Sequence, residues 1–216
     1  MKAFIFDLNG TMVNDMPYHA AAWKRVANEV LGGNFTDEQI KQNMYGKNAE
    51  VLVRLFGSGK FSPEEMDKLS EDKEEQYRRE FISELALLPG LAEFLERAHQ
   101  AGIPMAIGSA AIPSNIDFVL DNLNIRHYFK AIVSAHDVTH SKPDPESFTK
   151  PAALLGVKPE DCIVFEDVPK GAEAARNAGM KAVILTTTHP VEDFDALDNI
   201  LHFAGDFNDD YIKALV

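Results

Sequence analysis

Ala3-Phe4-Ile5-Phe6-Asp7-Leu8-Asn9-Gly10-Thr11 decides the fold. Its first four residues are apolar without a break, which reads as a strand buried on both faces, as in a parallel sheet covered by helices. The run stops at Asp7 and enters residues rich in turn-formers, so the chain leaves the sheet in a polar loop. Further along, Ile103–Ile107, Ala131–Val133, Cys162–Phe165 and Ala182–Leu185 repeat the short apolar pattern. Helical segments lie among them: 89–100 ended by Gly102, 114–123, 145–155 closed by Gly156, and 171–178 closed by Gly179. Strands spaced by one helix each imply right-handed βαβ units and a parallel sheet.

Residues between about Tyr18 and Ile82 have another texture. Trp23, Val26, Ala27, Val30 and Leu31 recur at helical spacing, as do Val51, Leu52, Leu55 and Phe56. Ser62-Pro63-Glu64-Glu65 carries an N-cap and a proline at the first helical position. No strand pattern interrupts this region. The expected architecture is α/β: a Rossmann-like parallel-sheet core from residues 1–14 and 84–216, with an α-helical cap domain, residues 15–83, inserted after the first strand.

The chain has 216 residues, 45% hydrophobic and 25% charged, the balance of a folded globular protein. Its net charge of −13 disfavours nucleic acid and anionic membrane surfaces as partners and argues for a monomer. An anionic substrate would therefore need local positive charge at its site: a metal ion, a lysine or a helix N-terminus. A single cysteine, Cys162, excludes a disulfide framework and a cysteine-rich zinc site, and its place in a strand marks it as core. No apolar run approaches the ~20 residues that span a bilayer, and charge enters too early for a signal peptide, so the cytoplasm is the expected location.

In open α/β sheets, ligands bind beyond the carboxyl ends of the strands. Here those ends carry Asp7 and Asn9, Ser109, the segment leading to Lys142, and Glu166-Asp167. Carboxylates crowd together at low cost only around a cation. An oxygen-only ligand set favours Mg²⁺, and Ser109 and Lys142 suit phosphate oxygens. Together they point to phosphoryl transfer. Singly, each has a plainer reading: Asp7 as a turn residue, Glu166-Asp167 as a helix cap, Ser109 as an ordinary loop serine and Lys142 as a solvated one. Gly57-Ser58-Gly59-Lys60 lacks the rest of a P-loop, and no glutamate follows His136 to make a zinc-protease pair with His140.

The ordered series Asp7-Leu8-Asn9-Gly10-Thr11, Ser109, Ser141-Lys142-Pro143-Asp144-Pro145 and Glu166-Asp167 with Gly171 and Ala178-Gly179 resembles the haloacid dehalogenase superfamily. Within it, the chain is similar to the β-phosphoglucomutase-like group with a helical cap. The resemblance covers nearly the whole chain. It implies Asp7 as the nucleophile that forms an aspartyl-phosphate. It implies Mg²⁺ held by Asp7, the backbone carbonyl of Asn9 and Asp167, with Glu166 supporting. Ser109, the backbone around Ala110 and Lys142 would hold the phosphoryl group. In the cap, His19 and Lys73 resemble substrate-facing residues of the group, against plainer readings as a packing histidine and a solvated lysine in a charge run.

Two departures matter. The group's first motif carries a second aspartate where this chain has Asn9, and that carboxyl implies the general acid and base. An amide cannot exchange the proton, and such assistance is worth about 10²–10⁴-fold. Asn9 is open to three readings: a substitution introduced to trap a complex in an active enzyme, a natural slow or non-catalytic relative, or a site where His19 or a water supplies the proton. The intact remainder favours the first. The second departure is the cap loop Tyr45-Gly46-Lys47-Asn48-Ala49, which lacks the arginine that a mutase uses on a second phosphate; Lys47 is the substitute. The expected activity is a Mg²⁺-dependent phosphatase for a small phosphorylated metabolite such as a sugar phosphate, impaired at position 9. A β-phosphoglucomutase interconverting sugar 1- and 6-phosphates and a non-catalytic phosphometabolite-binding relative are the alternatives.

Overall fold

The structure, a computed structural model, describes residues 2–216. In chain order the elements are β1 (Ala3–Phe6), α1 (Met16–Arg25), α2 (Asp37–Asn43), α3 (Asn48–Phe56), α4 (Pro63–Phe81), α5 (Leu91–Gln100), β2 (Met105–Gly108), α6 (Pro113–Asn122), β3 (Phe129–Val133), α7 (Glu146–Leu155), β4 (Cys162–Glu166), α8 (Pro169–Asn177), β5 (Lys181–Leu185), β6 (Ile200–Ala204) and α9 (Asp210–Lys213). They divide into two compact units, Met1–Asn14 with Ala86–Val216, and Asp15–Leu85. Among the described residues no helix is long and apolar enough to cross a membrane.

The first unit is a parallel sheet of order β3-β2-β1-β4-β5-β6. β1 lies inside it, with Phe4 beside Met105 of β2 and Ile163 of β4. All four β1 side chains are fully buried, which explains the unbroken apolar run. They alternate between faces as the pleat requires. Phe6 stacks on Phe165 with centroids 4.8 Å apart, and Phe94 and Phe207 close around them. Ala3 and Ile5 face the other way, into the cluster of Phe148, Ala172 and Ala175 under α7 and α8.

The strands differ from expectation at two places. β2 starts at Met105 rather than Ile103 because Pro104 has no N–H for the ladder, although its carbonyl accepts from Phe4 N. β6 was not expected. It is an edge strand with only Ala204 buried, and His202 breaks its apolar pattern.

The second unit is all-helical among the described residues. α1 runs on into a π turn at Val26–Val30, which the spacing did not reveal. Thr36 with Gln39, and Ser62 with Glu65, form reciprocal capping boxes at the starts of α2 and α4. Trp23, Val26, Ala27, Ile40, Val51 and Leu52 form its core. The charged stretch 71–80 is the second half of α4, and its face Lys73, Glu74, Tyr77 and Phe81 is buried. Lys73 is therefore no solvated residue, since it is 1% exposed.

Candidate active site

Asp7 ends β1, and its N–H donates to Phe165 O at 3.0 Å, carrying the ladder one residue past the strand. The side chain lands beside Lys142, whose Nζ donates to Asp7 Oδ1 at 2.6 Å and to Glu166 Oε1 at 2.5 Å. This ammonium sits 4.6 Å from the Phe148 ring centroid, and its side chain is 8% exposed. Burial by itself would lower the Lys142 pKa. Asp7 and Glu166 outweigh burial and hold it above the usual lysine range.

Glu166 ends β4 and is fully buried. Its Oε2 accepts the N–H groups of Asp167 at 2.7 Å and Val168 at 2.9 Å, so both oxygens are occupied within the protein. Glu166 thus orients Lys142 and the turn before α8. Gly171 makes this possible: a Cβ there would lie 1.8 Å from Glu166 Oε1.

Asp167 is the next residue and 1% exposed. Its carboxylate accepts from Thr11 Oγ1 at 2.9 Å and Thr188 Oγ1 at 2.6 Å, both neutral hydroxyls. Burial, then the charges of Glu166 and Asp7, push its pKa well above the ordinary value, and the two hydroxyls only partly offset them. Gly10, at φ +77°, lets the β1 loop pass over this carboxylate, since a Cβ there would sit 2.1 Å from Asp167 Oδ2. The loop's carbonyl at Gly10 accepts from Thr187 Oγ1 at 2.5 Å. Asn9 pairs with Val13 in an isolated bridge, which fixes the backbone at the position whose carbonyl the resemblance assigns to the metal.

Ser109 ends β2 and is 1% exposed. Its N–H donates to Val133 O, and its Oγ accepts from Ala111 N at 3.1 Å, so the hydroxyl proton is directed elsewhere. Half-buried Ala110 follows at the turn. Asp7, Asn9, Ser109, Ala110, Lys142, Glu166 and Asp167 therefore all stand at the carboxyl edge of β1, β2 and β4 or in the loop after β3.

Asp7 and Glu166 share the one ammonium of Lys142, and Asp167 stands within the field of both carboxylates. That leaves an excess of negative charge at a buried place, with Asp167 compensated by neutral donors alone. A hard divalent cation resolves it, and the all-oxygen donor set fits Mg²⁺. Among the described residues no group of three His, Cys, Asp or Glu side chains is placed to hold a metal ion by itself.

Within the cap unit, His19 and Lys73 meet: Lys73 Nζ lies 2.7 Å from His19 Nδ1 and 2.9 Å from Glu74 Oε1. Asn48 Nδ2 donates to the same Glu74 oxygen, and Tyr77, stacked on His19, donates to Asp15. Burial lowers the Lys73 pKa against the pull of Glu74. Lys47 is half-buried at the start of α3. The guanidinium of Arg54 lies 3.7 Å over the Tyr45 ring and donates to the Asn43 and Tyr45 carbonyls, so it braces this loop.

Sequence reading passed over Thr187 and Thr188. The run Thr186-Thr187-Thr188 directly follows β5, and a row of hydroxyls at a strand's carboxyl end was the available signal.

Residues 4–185 match the haloacid dehalogenase-like hydrolase family, and the chain belongs to it. It is a hydrolase of that type, on a fold shared with solved β-phosphoglucomutase-like members. A fructose-1-phosphate phosphatase of Escherichia coli is 35% identical over 182 residues, covering 83% of this chain and 93% of the relative. A β-phosphoglucomutase of Bacillus subtilis is 35% identical over 191 residues, covering 85% and 82%. The crystal structure of a Clostridium difficile β-phosphoglucomutase superposes with a TM-score of 0.81 at 29% identity, over 93% of this chain and 90% of that one.

Proposed function

We propose that this protein is a phosphatase that moves the phosphoryl group of a small phosphorylated sugar onto Asp7 and then to water, in the cytoplasm, and that Asn9 slows it at the proton transfers. The observation that carries the reading is the buried set of Asp7, Glu166 and Asp167 against Lys142, whose unbalanced charge suits a cation and a phosphate together.

A carboxylate oxygen of Asp7 attacks phosphorus while the bond from phosphorus to the sugar oxygen breaks. Lys142, Ser109 and the Ala110 backbone stabilise the charge on the phosphoryl oxygens. Asp7, the Asn9 carbonyl and Asp167 would hold Mg²⁺, which when bound supplies positive charge to the phosphoryl oxygens. The departing sugar oxygen needs a proton, and the attacking water must later lose one. Asn9 stands where the group carries a carboxyl for both tasks, and an amide performs neither at neutral pH.

A mutase is the second reading, favoured by the similarity to the Bacillus subtilis enzyme. Arg54 argues against it, because its guanidinium is committed to the Asn43 and Tyr45 carbonyls. The test is phosphate release from a panel of sugar phosphates, with Mg²⁺ or EDTA, for this chain and Asn9→Asp. The Asp form should gain about 10²–10⁴-fold in turnover. Isomerisation without phosphate release in that variant would establish the mutase. Inertness of both forms would leave a phosphometabolite-binding protein.

A further inference from the structure

We propose that the turn after β5, Thr187-Thr188-His189, is a positioning element of the active site that sets its affinity for a divalent cation. The inference rests on the reading of Asp167 as a metal ligand and extends the site to a strand end that the motif series does not include.

Thr188 makes the case. Its Oγ1 lies 2.6 Å from Asp167 Oδ2, 2.9 Å from the Asp167 carbonyl and 3.0 Å from His189 Nδ1. A hydroxyl has one proton, and the shortest of these contacts is to the carboxylate, which is the strongest acceptor of the three. With its proton on Nδ1, His189 donates to the threonine oxygen, giving the chain His189 to Thr188 to Asp167. Thr11 takes the opposite carboxylate oxygen at 2.9 Å, so Asp167 is gripped at both oxygens and its plane is fixed.

Thr187 acts on the other loop. Its hydroxyl donates to the Gly10 carbonyl at 2.5 Å, one peptide beyond the Asn9 carbonyl. Successive residues of one turn thus hold the two loops that supply the cation's protein oxygens. The turn is itself anchored, since Thr186 N donates to Ala204 O of β6 at 2.9 Å. Outer partners of this kind orient ligands and typically change metal affinity by about 10- to 100-fold when removed.

The experiment is a Mn²⁺ titration of the purified protein, free Mn²⁺ being read by electron paramagnetic resonance, for wild type, Thr188→Val, Thr188→Ser and Asp167→Asn. Thr188→Val keeps the branched shape and removes the hydroxyl. It should weaken Mn²⁺ binding about 10- to 100-fold, and Thr188→Ser should restore it to within about threefold of wild type. Thr188→Ala serves if the valine variant does not fold, as judged by circular dichroism. If Asp167→Asn abolishes binding while Thr188→Val and Thr188→Ala bind as wild type, the positioning role is refuted and the metal site stands. If serine fails to restore what valine loses, the hydroxyl is not the determinant and the proposal also falls. If Asp167→Asn binds Mn²⁺ as wild type, the metal reading falls and takes the positioning role with it.

Discussion

Replacing Lys142 with methionine tests the electrostatic account of the site. Methionine keeps an unbranched chain over Phe148 and removes the charge. Lys142 is the ammonium bonded to Asp7 and Glu166, at 2.6 and 2.5 Å. Without it, the ammonium that Asp7 and Glu166 share is gone from a buried place that also holds Asp167. Breaking a buried pair from one side costs about 3–5 kcal/mol. At about 2–4 °C per kcal/mol for a chain of this size, the melting temperature should fall by roughly 6–20 °C at pH 7 in EDTA. The sign with pH follows from the raised Lys142 pKa: its contribution is complete below the unfolded lysine value, near 10.4, and fades only as pH rises through the folded value. In the variant, the exposed imbalance is relieved by protonating a carboxyl, so the deficit should shrink toward pH 4.5. Thermal denaturation followed by circular dichroism, with Glu166→Gln added as a second change, measures this. The double variant should recover part of the loss. A fall below about 2 °C at pH 7, less than 1 kcal/mol on that scale, or an equal deficit at both pH values, would refute the reasoning.

Three further outcomes are expected. Asp167 has a raised folded-state pKa, so the metal-free protein should lose stability as pH climbs from about 3.9 through that value. Mg²⁺ at 100 times its dissociation constant should return about 2.7 kcal/mol; urea midpoints with and without Mg²⁺, set against Asp167→Asn, check it, and identical midpoints for both proteins would contradict it. Gly171→Ala would favour a helix on propensity alone, yet its Cβ must displace the Glu166 carboxylate, so a net loss of about 1–3 kcal/mol is expected in denaturant melts rather than a gain. Asn9-Gly10 is a deamidation-prone pair, and the Gly10 N–H, whose nitrogen must attack the amide, is held by Val13 O at 2.8 Å. Conversion to aspartate, read by mass spectrometry, should therefore be about tenfold or more slower in the native protein than in urea, the factor for a loop opening of ~1.4 kcal/mol; equal rates would show that the loop is not held.

The sequence by itself determined the parallel sheet and the helical insertion. Unbroken apolar runs such as Ala3–Phe6 admit burial on both faces only, and Gly156 and Gly179 punctuate the helices between them. It also showed which strand ends are polar, because Asp7, Ser109 and Glu166-Asp167 directly follow those runs. The edge strand β6 was illegible, since an edge buries little and imposes little pattern. Only the tertiary structure decided how the polar residues divide the work. Glu166 and Asp167 are neighbours in sequence, yet one is filled by Lys142 and backbone amides and the other is held by hydroxyls alone. Thr188 is 21 residues from the carboxylate it grips, and Lys73 looks solvated in a charge run while it is buried against His19 and Glu74. Periodicity reports which faces are apolar, because burial acts on every residue of an element. The partner of a hydrogen bond or a charge is set by where distant loops converge, and a local pattern carries no record of that.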